Sequence, residues 1–171
     1  MATGSLVTFR RKSTAAERQR LTETCEQVGL LSCLIVAARP GSAEFLAASA
    51  NQWGWETFVC TSASAAKVWL DNELPQLAFV DLQGPGGQAL RAIVEQVSSE
   101  QDVLLVVGGH ENDLSEEVWA RQLGVWFYVP GLKQTGSVGL LCRDARSIVE
   151  RKSALEAKKF MALPVTRRAS D

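Results

Sequence analysis

The chain has 171 residues, of which 46% are hydrophobic and 22% charged, and its formal net charge is −1. This excludes an intrinsically disordered protein and suits one soluble domain with a substantial core; no apolar run reaches the ~18–20 residues of a membrane span. The near-zero charge is segregated: residues 1–20 carry five basic groups and one acid, residues 143–171 carry eight and four, and residues 21–142 carry five and fourteen, so a body of −9 lies between two ends of +4.

Residues 1–13 are small, polar and basic and are expected to be disordered. Residues 14–28 are good helix formers that place Leu21, Cys25 and Val28 on one face, which predicts an amphipathic helix stopped by Gly29. The apolar run 30–37 suits a strand buried on both faces, closed by Arg39-Pro40-Gly41. Ser42 is the expected cap of a helix with Phe45, Leu46 and Ala50 inside, ended by Trp53-Gly54-Trp55. A short strand over 56–60 follows, then a helix capped by Ser62 or Ser64 through about Leu74, with Ala65, Val68 and Trp69 inward and Pro75 as its stop. Residues 77–82 form a strand that enters the loop Gln83-Gly84-Pro85-Gly86-Gly87. Residues 88–99 carry the helical stripe Leu90, Ile93, Val94 and Val97. Residues 102–107 read as the most hydrophobic strand, leading to Gly108-Gly109-His110. Ser115 is the expected cap of the fourth helix, with Glu116 and Glu117 complementing its dipole and Gly124 ending it. A fifth strand spans 125–129. A long last helix runs from about Ser137 to Phe160 with Leu140, Leu141, Ile148 and Val149 inward, before a loose basic tail over 161–171.

Five apolar strands alternating with helices at short loop lengths predict an α/β fold, a doubly wound five-stranded parallel sheet. The folded α/β body is then 31–160, preceded by a basic segment, 1–30, with the extra helix. Sites in such sheets form at the carboxyl ends of the strands, here loops 38–41, 61–63, 82–87, 108–114 and 130–135. Asp81 ends the third strand before a Gly/Pro loop, a place for a phosphorylated or metal-bound carboxylate, or for a solvated loop acid.

The order of elements around LAFVDLQGPGG resembles the response-regulator receiver domain (CheY-like) over about 32–150. Asp81 with Leu82, Pro85 and Gly87 matches the family's phosphoacceptor loop, Leu74-Pro75-Gln76-Leu77 its entry to that strand, and Tyr128 its switch aromatic. The resemblance implies Mg²⁺ held by two acids after the first strand, a Ser or Thr ending the fourth, and a Lys after the fifth. This chain has Ala37-Ala38-Arg39, Val107-Gly108 and Gly131 at those places. One carboxylate does not hold a hard divalent ion, so the expected pocket (Ala38, Arg39, Val107, Gly108, Gly131) lacks phosphoryl-transfer machinery. The chain reads as a pseudo-receiver with no cofactor, no metal site and no catalytic residue. Arg39 either reaches Asp81 in place of the lost cations or faces solvent.

Trp119, Trp126 and Tyr128 lie where the family docks partners and dimer mates, and alternation predicts Trp126 and Tyr128 on one face. The expected function is therefore a phosphorylation-independent signalling module, not an enzyme, that binds a protein through the fourth helix, fifth strand and last helix, with a homodimer open. The alternatives are a phosphoacceptor using Asp81 and a flavodoxin-type small-molecule binder using loops 83–87 and 108–113. The glycines of these loops match neither phosphate-binding fingerprint and read as turns. His110 with Glu111 and Asp113 reads as a solvated loop. Cys25, Cys33, Cys60 and Cys142 are too scattered for zinc and read as reduced core thiols of a cytoplasmic protein; the opening MATGSLVTFRRKS has no signal-peptide core. Arg10-Arg11-Lys12-Ser13 and Arg167-Arg168-Ala169-Ser170 look like basophilic kinase substrates or tails for an acidic partner. The acidic body makes nucleic acid an unsuitable ligand except at the basic ends.

Overall fold

The computed structural model describes residues 31–132 and 136–161, with side chains to residue 158. The expected helix over 14–28 and both loose ends lie outside these residues. The described chain runs β1 (Ser32–Ala37), α1 (Pro40–Gln52), β2 (Glu56–Cys60), α2 (Ala63–Leu70), β3 (Leu77–Asp81), α3 (Gly87–Ser98), β4 (Leu104–Gly109), α4 (Leu114–Gln122), β5 (Phe127–Pro130), α5 (Val138–Met161). All strands pair in parallel, in the order β2-β1-β3-β4-β5. This is the doubly wound five-stranded sheet that the alternation of apolar runs and helices predicts.

The two faces of the sheet bury separate clusters. Ile35, Phe79, Val106 and Val129 meet Leu46 and Ala50 of α1 and Leu141, Cys142 and Ala145 of α5. Leu34, Val36, Val80, Leu105 and Val107 meet Ala66 and Leu70 of α2 and the stripe Leu90, Ile93, Val94 and Val97 of α3. Both faces of β1 and β3 are covered, which is why these strands are apolar at successive positions rather than alternate ones. Trp55 is buried against α5 and donates its indole N–H to the Cys142 carbonyl at 3.0 Å.

Several expected boundaries and orientations are corrected. Arg39, not Ser42, is the N-cap of α1: Pro40 fixes the φ of the first helical residue and needs no donor there, so Ser42 falls inside the first turn and is buried. Asp113, not Ser115, caps α4, accepting from the Glu116 amide at 3.0 Å. Helix α2 is capped by Ser62 and ends at Leu70, short of Leu74, which is exposed. The cap sets its phase so that Ala66 and Leu70 face the sheet and Val68, half a turn away, is 64% exposed. Leu140 likewise points outward, because Val138, Leu141, Cys142 and Ala145 take the inward stripe of α5. β4 starts at Leu104 and β5 at Phe127, each two residues after the expected start. Trp126 thus precedes the strand and packs on the α1/α5 side, whereas Tyr128 packs on the opposite side, so the two do not share a face.

Candidate functional site

Asp81 is the last residue of the central strand and has no exposed surface. Its register partners are Ala37 of β1 and Gly108 of β4. Alternation places it on the same sheet face as Leu77 and Phe79, beneath the start of α1. Because Arg39 is the N-cap of that helix, its side chain descends onto the strand end. One terminal guanidinium nitrogen, Nη2, lies 2.9 Å from Asp81 Oδ2 and 2.6 Å from the Gln83 side-chain oxygen. The Gln83 amide donates to Asp81 Oδ1 at 3.1 Å, and the Gln83 side-chain nitrogen donates to the Gly109 carbonyl at 2.6 Å. Gln83 thereby ties the loop after β3 to the end of β4. Gly84, at a φ of 112°, lets the backbone pass against the Arg39 stem; a Cβ there would sit 3.1 Å from Arg39 Cγ.

The other expected pocket residues divide. Ala38 is half-buried beside Arg39. Gly108 is adjacent to Asp81, and a Cβ on it would meet the Leu132 side chain at 2.8 Å, so a buried leucine fills the space that a strand-end hydroxyl would need. Val107 belongs to the opposite sheet face and does not line the pocket. Gly131 adopts a φ of 62° and lies against Glu111 rather than Asp81.

A second polar cluster surrounds Glu116, which is only 3% exposed. It accepts from the His110 amide at 2.8 Å, from the Tyr128 hydroxyl at 3.0 Å and from Arg91 at 3.3 Å; His110 Nδ1 lies 3.4 Å away. Gly109 permits this: a Cβ there would overlap both the Tyr128 hydroxyl and Glu116. Burial, then the hydrogen bond to Glu116 and its charge, hold the Tyr128 phenol well above its usual value. The Arg91 guanidinium also sits 4.8 Å from the ring centroid of half-buried Trp119. His110 and Asp113 are thus not merely solvated: one leans on Glu116 and the other caps α4. Bonds from Ser115 and the Glu116 amide lower the Asp113 carboxyl.

Sequence alone does not single out Glu116, Gln83, Leu132 and Arg91 as site residues. A glutamate in a first helical turn ordinarily faces water, and the spacing of Arg91, His110 and Tyr128 carries no local signal. Cys33, Cys60 and Cys142 are buried free thiols, each raised by burial, Cys142 to about 12. Among the described residues no group of three potential ligands could hold a metal ion, and no helix is long and apolar enough to cross a membrane.

No family model matches the chain, and no curated protein matches it. Solved structures do. A response regulator receiver domain protein (CheY-like) from Methanospirillum hungatei is 17% identical with a TM-score of 0.56, covering 77% of this chain and 99% of its own. NtrX from Brucella abortus in complex with ADP is 16% identical with a TM-score of 0.61, covering 75% of this chain; the match spans 29% of NtrX. A response regulator from Burkholderia pseudomallei, solved with a phosphorylated aspartic acid and a calcium ion, is 18% identical with a TM-score of 0.56, covering 73% of this chain and 74% of its own. With this sheet order and an acid buried at the end of the central strand, the chain has the fold of a response-regulator receiver domain.

Proposed function

We propose that this protein is a pseudo-receiver: a signalling or regulatory module that binds a protein partner without phosphorylation of Asp81. The observation that carries the reading is the Arg39 guanidinium at 2.9 Å from the buried Asp81 carboxyl. A receiver must bring a divalent cation and an anionic phosphoryl donor to this carboxyl. Here a fixed cation already occupies that approach, Leu132 replaces a polar strand end, and the loop after β1 supplies no acid. One carboxylate, already paired with Arg39, does not fit Mg²⁺.

The partner surface is α4, β5 and α5. Leu114, Val118, Phe127 and Leu140 expose 44–72% of their surface there, and half-buried Trp119 and Tyr128 sit beside them as anchors. The protein chemistry is that of binding rather than turnover, with a homodimer as one form of the complex and the cytoplasm as the compartment for its reduced thiols.

Acetyl phosphate with Mg²⁺, followed by intact-protein mass spectrometry, tests the reading. No added phosphoryl group and no change in tryptophan fluorescence are expected. A gain of one phosphoryl group that disappears in Asp81→Ala would instead establish a phosphoacceptor.

A further inference from the structure

A cavity of about 240 Å³ opens between the loop after β4, the start of α4 and the end of β5, walled by His110, Asp113, Leu114, Glu117 and Tyr128. Its rim is apolar on one side, where Leu114 is 72% and Val118 45% exposed one turn apart on α4. Its other side is acidic. Glu116 beneath is matched by Arg91, and Glu117 by Arg121. Among the described residues no ion pair forms at Glu111 or Asp113, although Arg91 and His110 act on Asp113 through space; the hydrogen bonds from Ser115 and the Glu116 amide are the larger cause of its lowered carboxyl. The cavity therefore combines an apolar ledge with unbalanced negative charge.

The chain carries a segment of opposite character. Residues 6–13, LVTFRRKS, put Leu6, Val7 and Phe9 directly before Arg10, Arg11 and Lys12. We propose that this segment of the same molecule docks in the cavity, with Phe9 on the Leu114–Val118 ledge and the cations against Glu111, Asp113 and Glu117. Docking there does not depend on whether Asp81 is phosphorylated, because that carboxyl is not among the residues that line the cavity.

The reach is adequate. The segment joins the body at Leu31, below β1, at the opposite end of the sheet from the cavity and three strands across. Strand rise and spacing make that diagonal about 25 Å. The eighteen residues between Lys12 and Leu31 span about 24 Å r.m.s. as coil, or about 22 Å if the fifteen of them over 14–28 are helical. The path runs round the body and so exceeds that straight diagonal, but eighteen extended residues reach up to about 60 Å; a tethered segment still meets its site at a high effective concentration, so a weak contact suffices. Docking would cover the part of the α4–β5 surface assigned above to a partner. Phosphorylation of Ser13 would add negative charge beside the acids and release the segment.

The test uses the full chain and a carbodiimide, which joins Lys12 to a touching carboxylate without a spacer, with the links mapped by mass spectrometry on a mixture of isotopically heavy and light protein. Lys12 linked to Glu111, Asp113 or Glu117 within one molecule is the expected result. The yield should fall about tenfold between about 0.05 M and about 0.5 M NaCl, and equally in Arg10→Glu/Arg11→Glu, which keeps Lys12, or in Leu114→Arg, which removes the apolar contact, opposes the cations and sits at an exposed position that leaves the fold intact. Links from Lys12 to carboxylates elsewhere, or yields insensitive to salt and to both variants, overturn the proposal. A heavy–light link overturns it in favour of a second copy as the occupant.

Discussion

Removing Arg39 should cost the protein more than removing its partner does once Arg39 is gone. Asp81 has no exposed surface, so Arg39→Ala leaves a carboxyl at the strand end with only the Gln83 amide to stabilise it. Breaking a fully buried ion pair costs about 3–5 kcal/mol. The Arg39 side chain is 37% exposed, so water can enter where it was, and about 2 kcal/mol is the appropriate figure. For a body of this size that is a fall in Tm of about 8 °C. Asp81→Ala alone frees a guanidinium that solvent already reaches, and should cost about 1 kcal/mol. Asp81→Ala in the Arg39→Ala background removes the stranded carboxyl and should cost almost nothing. Calorimetric Tm and urea midpoints of the wild type, both single variants and the double variant give the coupling. Single effects that add within about 0.5 kcal/mol would mean that the 2.9 Å contact carries no energy, and the reasoning from it would fail.

Arg39→Asp places a second carboxyl beside Asp81 and removes the cation; its Tm should fall, and Mg²⁺ at about 10 mM should raise it again while leaving the wild-type Tm unchanged. Tyr128 is the only tyrosine in the sequence, so phenolate absorbance reads it alone. In the folded protein its onset should come well above the usual pH of ~10, and Glu116→Gln should bring it part of the way back, since burial remains. A folded value above the unfolded one binds the proton more tightly in the native state, so this contribution is complete below pH ~10 and is lost as pH rises past it. Cys33, Cys60 and Cys142 should resist a thiol reagent at about pH 8 until denaturant is added.

The sheet was legible in the sequence because burial on both faces leaves a strong signal: the runs from Leu34 to Ala37 and from Leu77 to Val80 are short, apolar at successive positions and closed by Gly/Pro turns, which favours strands over buried helix. Asp81 was legible for the same reason, as the first charge after such a run. Helix phase was less so. At Val68 and Leu140 an apolar residue off the true stripe looks the same in the sequence as one within it, and capping by Ser62 or packing of α5 against α1 decides. Caps were misassigned where a better starter lay upstream, as with Pro40 after Arg39. Glu116 was hidden for a different reason. Its burial is decided by Arg91, His110 and Tyr128, from three other parts of the chain, and a local reading sees only a helix-starting acid.

The two buried acids, Asp81 and Glu116, each face an arginine and are joined through backbone. Arg39 and Asp81 hold Gln83, Gln83 holds the Gly109 carbonyl, and the next amide, that of His110, is held by Glu116, which also holds Tyr128. The pocket and the α4–β5 surface are therefore connected by a series of satisfied hydrogen bonds rather than by a vacant space awaiting a phosphoryl group. Contiguity is not coupling, but it makes coupling measurable. If the chain of contacts transmits position, Arg39→Ala should loosen Gln83, release Gly109 and let Tyr128 leave Glu116, so that its phenol titrates closer to ~10 in a variant altered on the far side of the sheet. In Glu116→Gln the same change at Arg39 should move the titration much less, because the bond it acts through is already weakened. Equal shifts in both backgrounds would mean that the pocket and the partner surface are independent, and that Arg39 acts only to stabilise the fold.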